Sequence, residues 1–213
     1  MQRIAWILAV FLILAFQLPA SPCVAGGTLN SYESLGMTGC TIGPQTVYDF
    51  TFSVVSGSGS ATDTNIFVTP TFGVNFYGVQ FASSDFTTGA GTVSYLIGFN
   101  WDSIPIVGMG DALDPGNVNI LTDGCVGAVF VGSSCSGTAV NVTVDPTQLT
   151  DSMMFSSTAI LGIANNISLN ANGSFNSIED DAYVTPEPAS FLLAALGVTI
   201  VILRKPRITA TDD

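Results

Sequence analysis

The sequence predicts an all-β fold: a single antiparallel β-sandwich, jelly-roll-like, set between an N-terminal signal peptide and a short C-terminal transmembrane helix. Three observations predict it. Residues 26–185 hold 21 Gly but only two Glu and no Lys or Arg, the usual fillers of exposed helix faces. Apolar and polar residues alternate with a period of two in short runs. Clusters of Gly, Pro, Asn, Asp and Ser separate those runs at short intervals, the spacing of sandwiches and jelly rolls.

The elements follow in chain order. The clearest alternation is 46–55, where Tyr48, Phe50, Phe52 and Val54 share one face. Strands are also expected over 65–69, 73–81, 92–100, 125–131 and 138–144. Turns are expected at Ser56-Gly57-Ser58-Gly59, Thr87 to Gly91, Asp114-Pro115-Gly116-Asn117, Gly132-Ser133-Ser134 and Asp145-Pro146. The run 156–170 fits a helix face or a strand by periodicity, and its composition favours a strand. Small and acidic residues over 172–185 predict a last edge strand fading into an acidic linker, which bounds the sandwich at 26–171.

Both ends are apolar. Arg3 followed by the uncharged run 4–16 and the break at Gln17-Leu18-Pro19 has the build of a signal peptide, assigned to 1–25. Cleavage after Ala25 ends the signal peptide on a small residue, with Cys23 two residues before it, and cleavage after Ala20 is the alternative. Pro22 before Cys23 argues against a lipoprotein. At the other end Pro186, Glu187 and Pro188 precede the charge-free segment 189–203, and Arg204, Lys205 and Arg207 follow at once. As a helix this segment reaches about 22 Å, short against a core of about 30 Å, but the basic stop extends it by snorkelling and is itself held cytoplasmic.

This order of triplet, apolar segment and basic stop over 186–207 resembles the PEP-CTERM sorting signal of exported bacterial proteins. The resemblance implies that Pro186, Glu187 and Pro188 are the recognition element for a membrane-embedded exosortase, a processing enzyme associated with exopolysaccharide production. It implies a chain exported and held in the cell membrane until processing, then released to the cell envelope or outside it, with 208–213 as a cytoplasmic tail. The function expected is that of a structural, exopolysaccharide-associated protein; a lectin-like module or a calcium-dependent adhesion protein is the alternative.

Charge excludes whole classes of partner. The chain's basic residues are Arg3, Arg204, Lys205 and Arg207, so the 13 carboxylates of 26–185 meet no fixed cation. Nucleic acid and anionic headgroups need neutralisation that this surface lacks. The same absence of His, Lys and Arg removes nucleophilic triads, imidazole zinc ligands and cationic oxyanion clamps, so no catalytic residue, cofactor or enzyme activity is expected. Thr122-Asp123-Gly124 is not an aspartic-protease signature.

Cys125 and Cys135 bracket an expected strand and turn and are expected to form a disulfide. Cys40 pairs with Cys23 if cleavage follows Ala20 and is left over if it follows Ala25. The loop Asp111, Asp114, Asn117 and Asn119 offers oxygen ligands of the kind calcium takes, but a polar turn is the preferred reading and no metal site is assigned. Of Tyr48, Tyr77, Tyr95, Phe99 and Trp101, most are expected in the core rather than on a sugar-stacking platform.

Overall fold

The computed structural model describes residues 20–131 and 134–185. The signal-peptide core, the sorting triplet, the anchor and the basic stop lie outside the described residues. Among those described, no helix is long and apolar enough to cross a membrane.

The elements are β1 (Gly27–Thr28), α1 (Leu29–Glu33), β2 (Cys40–Ile42), β3 (Gln45–Gly57), β4 (Phe67–Phe72), β5 (Phe76–Ala82), β6 (Val93–Leu113), β7 (Val118–Val126), β8 (Phe130–Val131), β9 (Ser134–Cys135), β10 (Thr138–Val144), β11 (Thr150–Leu169) and β12 (Ser177–Val184). Two strands organise the rest. β6 has 21 residues and β11 has 20, far beyond the usual strand, and they pair with each other antiparallel along their length.

Each long strand serves two layers. β6 pairs with β3 from Val93 to Asp102 and with β12 from Ile106 to Leu113. β11 pairs with β7 only over Leu161 to Leu169. The curled sheet therefore folds on itself into a sandwich. Its first layer runs β2-β3-β6-β11-β7-β10 and its second β1-β4-β5-β12-β6-β11. The register of β11 against β6 shifts between Met154 and Ile160, where the pair turns from one layer into the other.

The inner faces meet through aromatic side chains. Phe81 of β5 sits between Phe50 of β3 at 6.4 Å and Phe99 of β6 at 5.6 Å, so one ring joins the layers. Trp101, Tyr95 and Phe86 complete this buried cluster. Tyr95, Phe99 and Trp101 are thus core residues, as expected. Tyr48 is also nearly buried, whereas Tyr77 is half-buried.

Strands expected at 46–55, 138–144 and 156–170 are present, as is the Cys125–Cys135 disulfide. Three expectations need correction. The strand expected at 125–131 is β7 ending at Val126, because Gly127 takes φ 83° and breaks the ladder. The expected face of β3 is split, because a bulge at Asp49, with φ 57°, sets Tyr48 beside Asn100 on the face opposite Phe50 and Phe52, while Val54 stays on their face but is exposed towards the strand's end. The acidic segment 172–185 is not a linker after an edge strand: β12 lies inside the second layer, between β5 and β6. Its Ile178, Ala182 and Val184 face the core with Asp180 among them. Alternation of those apolar residues was the signal, and Glu179-Asp180-Asp181 obscured it.

The fold also begins before residue 26. Ser21 to Cys23 run beside β2, with Cys23 N–H donating to the Thr41 carbonyl at 3.0 Å and Thr41 N–H to that of Ser21 at 2.9 Å. Cys23 is bonded to Cys40, so no free cysteine remains among the described residues.

Candidate functional site

On the outer face of the first layer, cross-strand registers place side chains from five strands in rows. One row reads Thr51, Gly98, Ala164, Asp123 and Asn141; the next reads Tyr48, Asn100, Gly162, Cys125 and Ala139. Gly98 and Ala164 project almost nothing, so the sheet is low there and its neighbours stand up around it. A cavity of about 330 Å³ results, lined by Asp49, Thr51, Leu96, Gly98, Asn100, Phe130 and Ala164 among others. That size lies within the range of small-ligand sites.

Two devices shape the walls. The β3 bulge puts Asp49 in the left-handed region, uncommon for a non-glycine residue, and turns its exposed side chain to the rim. On the other side the chain after β7 folds over Gly162. Gly127 N–H donates to the Ile160 carbonyl at 2.9 Å and Gly162 N–H to that of Ala128 at 3.1 Å. A Cβ on Gly162 would sit 3.1 Å from the Phe130 amide nitrogen, so glycine permits this close approach. The β8–β9 pair then carries Phe130, and the Cys125–Cys135 disulfide ties it to the sheet.

The groove offers acceptors, amides and ring faces but no cation. Asn166 Nδ2 donates to Asp123 Oδ2 at 3.0 Å beside the floor. Burial raises the Asp123 carboxyl above its ordinary value, and that amide opposes the rise. The Tyr48 phenol is raised by burial and then by the charges of Asp102 and Asp49, which keeps it a neutral hydrogen-bonding group. Such a set suits a ligand rich in hydroxyls and repels an anion. A larger cleft of about 510 Å³ lies between Ala20–Val24 and Tyr32–Cys40. Its lining is mostly apolar, with few convergent polar groups to orient a ligand.

The sequence candidates for calcium do not converge. Asp111 points into the core and Asp114 accepts from Ser177 Oγ at 2.9 Å, whereas Asn119 faces outward from β7. Among the described residues no group of three acidic, His or Cys side chains could hold a metal ion.

The nearest thing to a carboxylate dyad is sealed between the layers. Asp111 on β6 and Asp180 on β12 are direct cross-strand neighbours, 3% and 1% exposed. The Thr122 hydroxyl contacts both Asp111 Oδ2 and Asn165 Oδ1, and Asn165 Nδ2 donates to Asp180 Oδ2 at 2.7 Å. One hydroxyl proton cannot serve two acceptors, so Asp111 must donate to Thr122. If the Asn165 amide is flipped, Asp180 must donate to its oxygen instead. Either way the pair holds a proton. Burial is the main cause that raises both carboxyls, Asp111 to about 6 and Asp180 well above its ordinary range. With no access for a substrate, this dyad ties the layers together and cannot perform acid-base catalysis on one.

No protein-family model matches this chain, and no curated protein matches it. Among solved structures it is similar to a carbohydrate-binding module, TmCBM61 in complex with β-1,4-galactotriose. The TM-score is 0.35 and the identity 16%, over 77% of this chain and all of that one. It is also similar to a CBM4 structure, with TM-score 0.22 and 10% identity over 53% of this chain and 81% of that one. At such scores neither likeness carries function across.

Proposed function

We propose that this is an exported cell-envelope protein whose sandwich holds neutral polysaccharide in the groove over Gly98 and Ala164 without acting on it chemically. The observation that carries this reading is the groove itself: a low floor, Asp49, Thr51 and Asn100 beside it, and Phe130 held at its wall by a disulfide. Sugars present vicinal hydroxyls to carboxylates and amides and an apolar ring face to an aromatic side chain. Acidic polysaccharide is disfavoured, since no cation answers its charge. Affinity electrophoresis through gels containing glucan, mannan or galactan tests it, with polygalacturonate as the acidic control. At least one neutral polymer is expected to retard the protein, and Gly98→Ala together with Phe130→Ala to abolish the shift. A Cβ at position 98 would meet Thr51 Oγ1 at 2.8 Å, which that side chain relieves by rotating, so the fold tolerates the change. Retardation by polygalacturonate, or by none of the neutral polymers, overturns the reading.

The address follows from the tail. Pro186, Glu187 and Pro188, segment 189–203 and the basic stop support sorting by an exosortase-type enzyme from the membrane to the envelope, in keeping with a structural, exopolysaccharide-associated role. The Cys23–Cys40 bond supports signal cleavage after Ala20, because cleavage after Ala25 discards half of a disulfide. Intact-mass analysis of protein from the native host reads both ends: a chain starting at Ser21 and lacking 189–213 is expected. A mature chain that starts after Ala25, or that keeps the anchor, contradicts the corresponding half.

A further inference from the structure

The turn between β4 and β5 is an exposed apolar point. Phe72 is 78% exposed and Val74 97%, and Gly73 N–H closes the turn on the Phe76 carbonyl at 3.0 Å. Isolated exposed apolar residues need no explanation, but the placement of these does. Val184 N–H donates to the Asn75 carbonyl at 2.9 Å, and Tyr183 packs edge-on to Phe76 with ring centroids 6.3 Å apart. The chain therefore leaves the domain at Thr185 directly beside this turn.

Charge is distributed accordingly. The turn at 42–45, the β4–β5 turn at 72–76, the β11 bend at 154–159 and the segment 127–131 share this end and contain no charged residue, although the half-buried Asp102 of β6 stands beside them in register with Thr46 and Ile160. Asp63, Asp85, Asp114 and Asp145 occupy turns at the opposite end. From Thr185 the apolar segment starts four residues on, a reach of at most about 14 Å. A bilayer that holds the segment thus lies within that distance of the domain's exit point beside the β4–β5 turn.

We propose that the β4–β5 turn is a membrane-contacting wedge, with Phe72 and Val74 entering the boundary layer of an electrically neutral lipid surface. The inference rests on the C-terminal anchor proposed above. Apolar side chains at such a boundary bury about 5–10 Å deep, and a neighbouring Tyr suits the same layer. The domain then stands on the membrane by these uncharged loops, keeps the turn carboxylates Asp63, Asp85, Asp114 and Asp145 at its far end, and holds Pro186, Glu187 and Pro188 at the surface where a membrane-embedded enzyme meets them.

The full chain reconstituted in phosphatidylcholine vesicles tests this, with Val74→Trp as a reporter and Ser58→Trp, at the far end, as control. Both positions are exposed, so neither change disturbs packing. Flotation shows whether the chain is anchored, and lipids brominated near the headgroup quench a tryptophan that reaches them. The chain's own tryptophans, Trp6 of the N-terminal apolar run and the buried Trp101, are subtracted with the parent chain. Quenching at position 74 and not at 58 is expected. A chain that floats with position 74 unquenched, or with both positions quenched alike, overturns the wedge and leaves the anchor standing. A chain that fails to float overturns the anchor and the wedge with it.

Discussion

Phe81→Ala is expected to lower the unfolding free energy by about 3–5 kcal/mol, the range for truncating a buried aromatic. Typical domains have about 5–15 kcal/mol in total, so the loss is a large share. Phe81 is fully buried and bridges the layers through Phe50 and Phe99. The described residues contain no Lys, Arg or His side chain, so stability rests on burial, hydrogen bonds and the two disulfides. Urea titration should show a lower midpoint with little change in slope. Phe72→Ala, at an exposed position, should stay within about 0.5 kcal/mol of the parent. Equal effects from the two substitutions would refute this account of the core.

Melting temperature is expected to fall as the pH rises through about 6 to 7, the reverse of a protein built on carboxylate salt bridges. The sign follows from linkage. Burial raises Asp111 to about 6, and burial followed by the charges of Glu179 and Asp111 raises Asp181 to about 7. Unfolded carboxyls titrate near 4, so the native state keeps protons that the unfolded chain has released. The stabilisation is fully present below the unfolded value and is lost as the pH passes the folded one. Asp180 acts in the same direction, held protonated by burial and by Asp111 beside it. Asp145 acts oppositely, because hydrogen bonds from Thr147 and Gln148 lower it, and its contribution disappears only in stronger acid. The charge of Asp151, the Asp111 neighbour on β11, is a further and smaller cause that raises Asp111.

Asp180→Asn is the informative variant. Its oxygen can still accept from Asn165 Nδ2 and its amide can donate to Asp111, which replaces the titrating proton by a permanent one. The variant should be more stable than the parent at pH 8 and should show a flatter dependence between pH 5 and 8 by calorimetry. A melting temperature that rises with pH over that interval, or an Asp180→Asn profile as steep as the parent's, would show that the buried pair carries no proton.

Much of the fold was legible because its causes are local. Tyr48 to Val54 and 138–144 alternate within themselves, and Asp114-Pro115-Gly116-Asn117 carries its own turn chemistry. Cys125 and Cys135 are close enough in sequence for their pairing to be read from the strand and turn between them. The expectations of export and of an anchor, too, rest on composition and order along one stretch of chain.

What the sequence could not disclose depends on partners distant along the chain. Thr51, Gly98, Ala164 and Asp123 form one row only because four strands align in register, and each alone is an ordinary strand residue. Phe130 becomes a wall because Gly162 admits the chain above it. The acidic run at Glu179 reads as solvated since a carboxylate usually prefers water; Asp180 is buried because Asp111 and Asn165 await it across the sandwich. By itself the sequence determined an all-β sandwich, its Cys125–Cys135 bond and its apolar ends, all set by neighbouring residues. Only the tertiary structure decided where the groove lies, which carboxyls keep their protons and which uncharged loops gather beside the exit of the chain, because register and burial are properties of strands brought together.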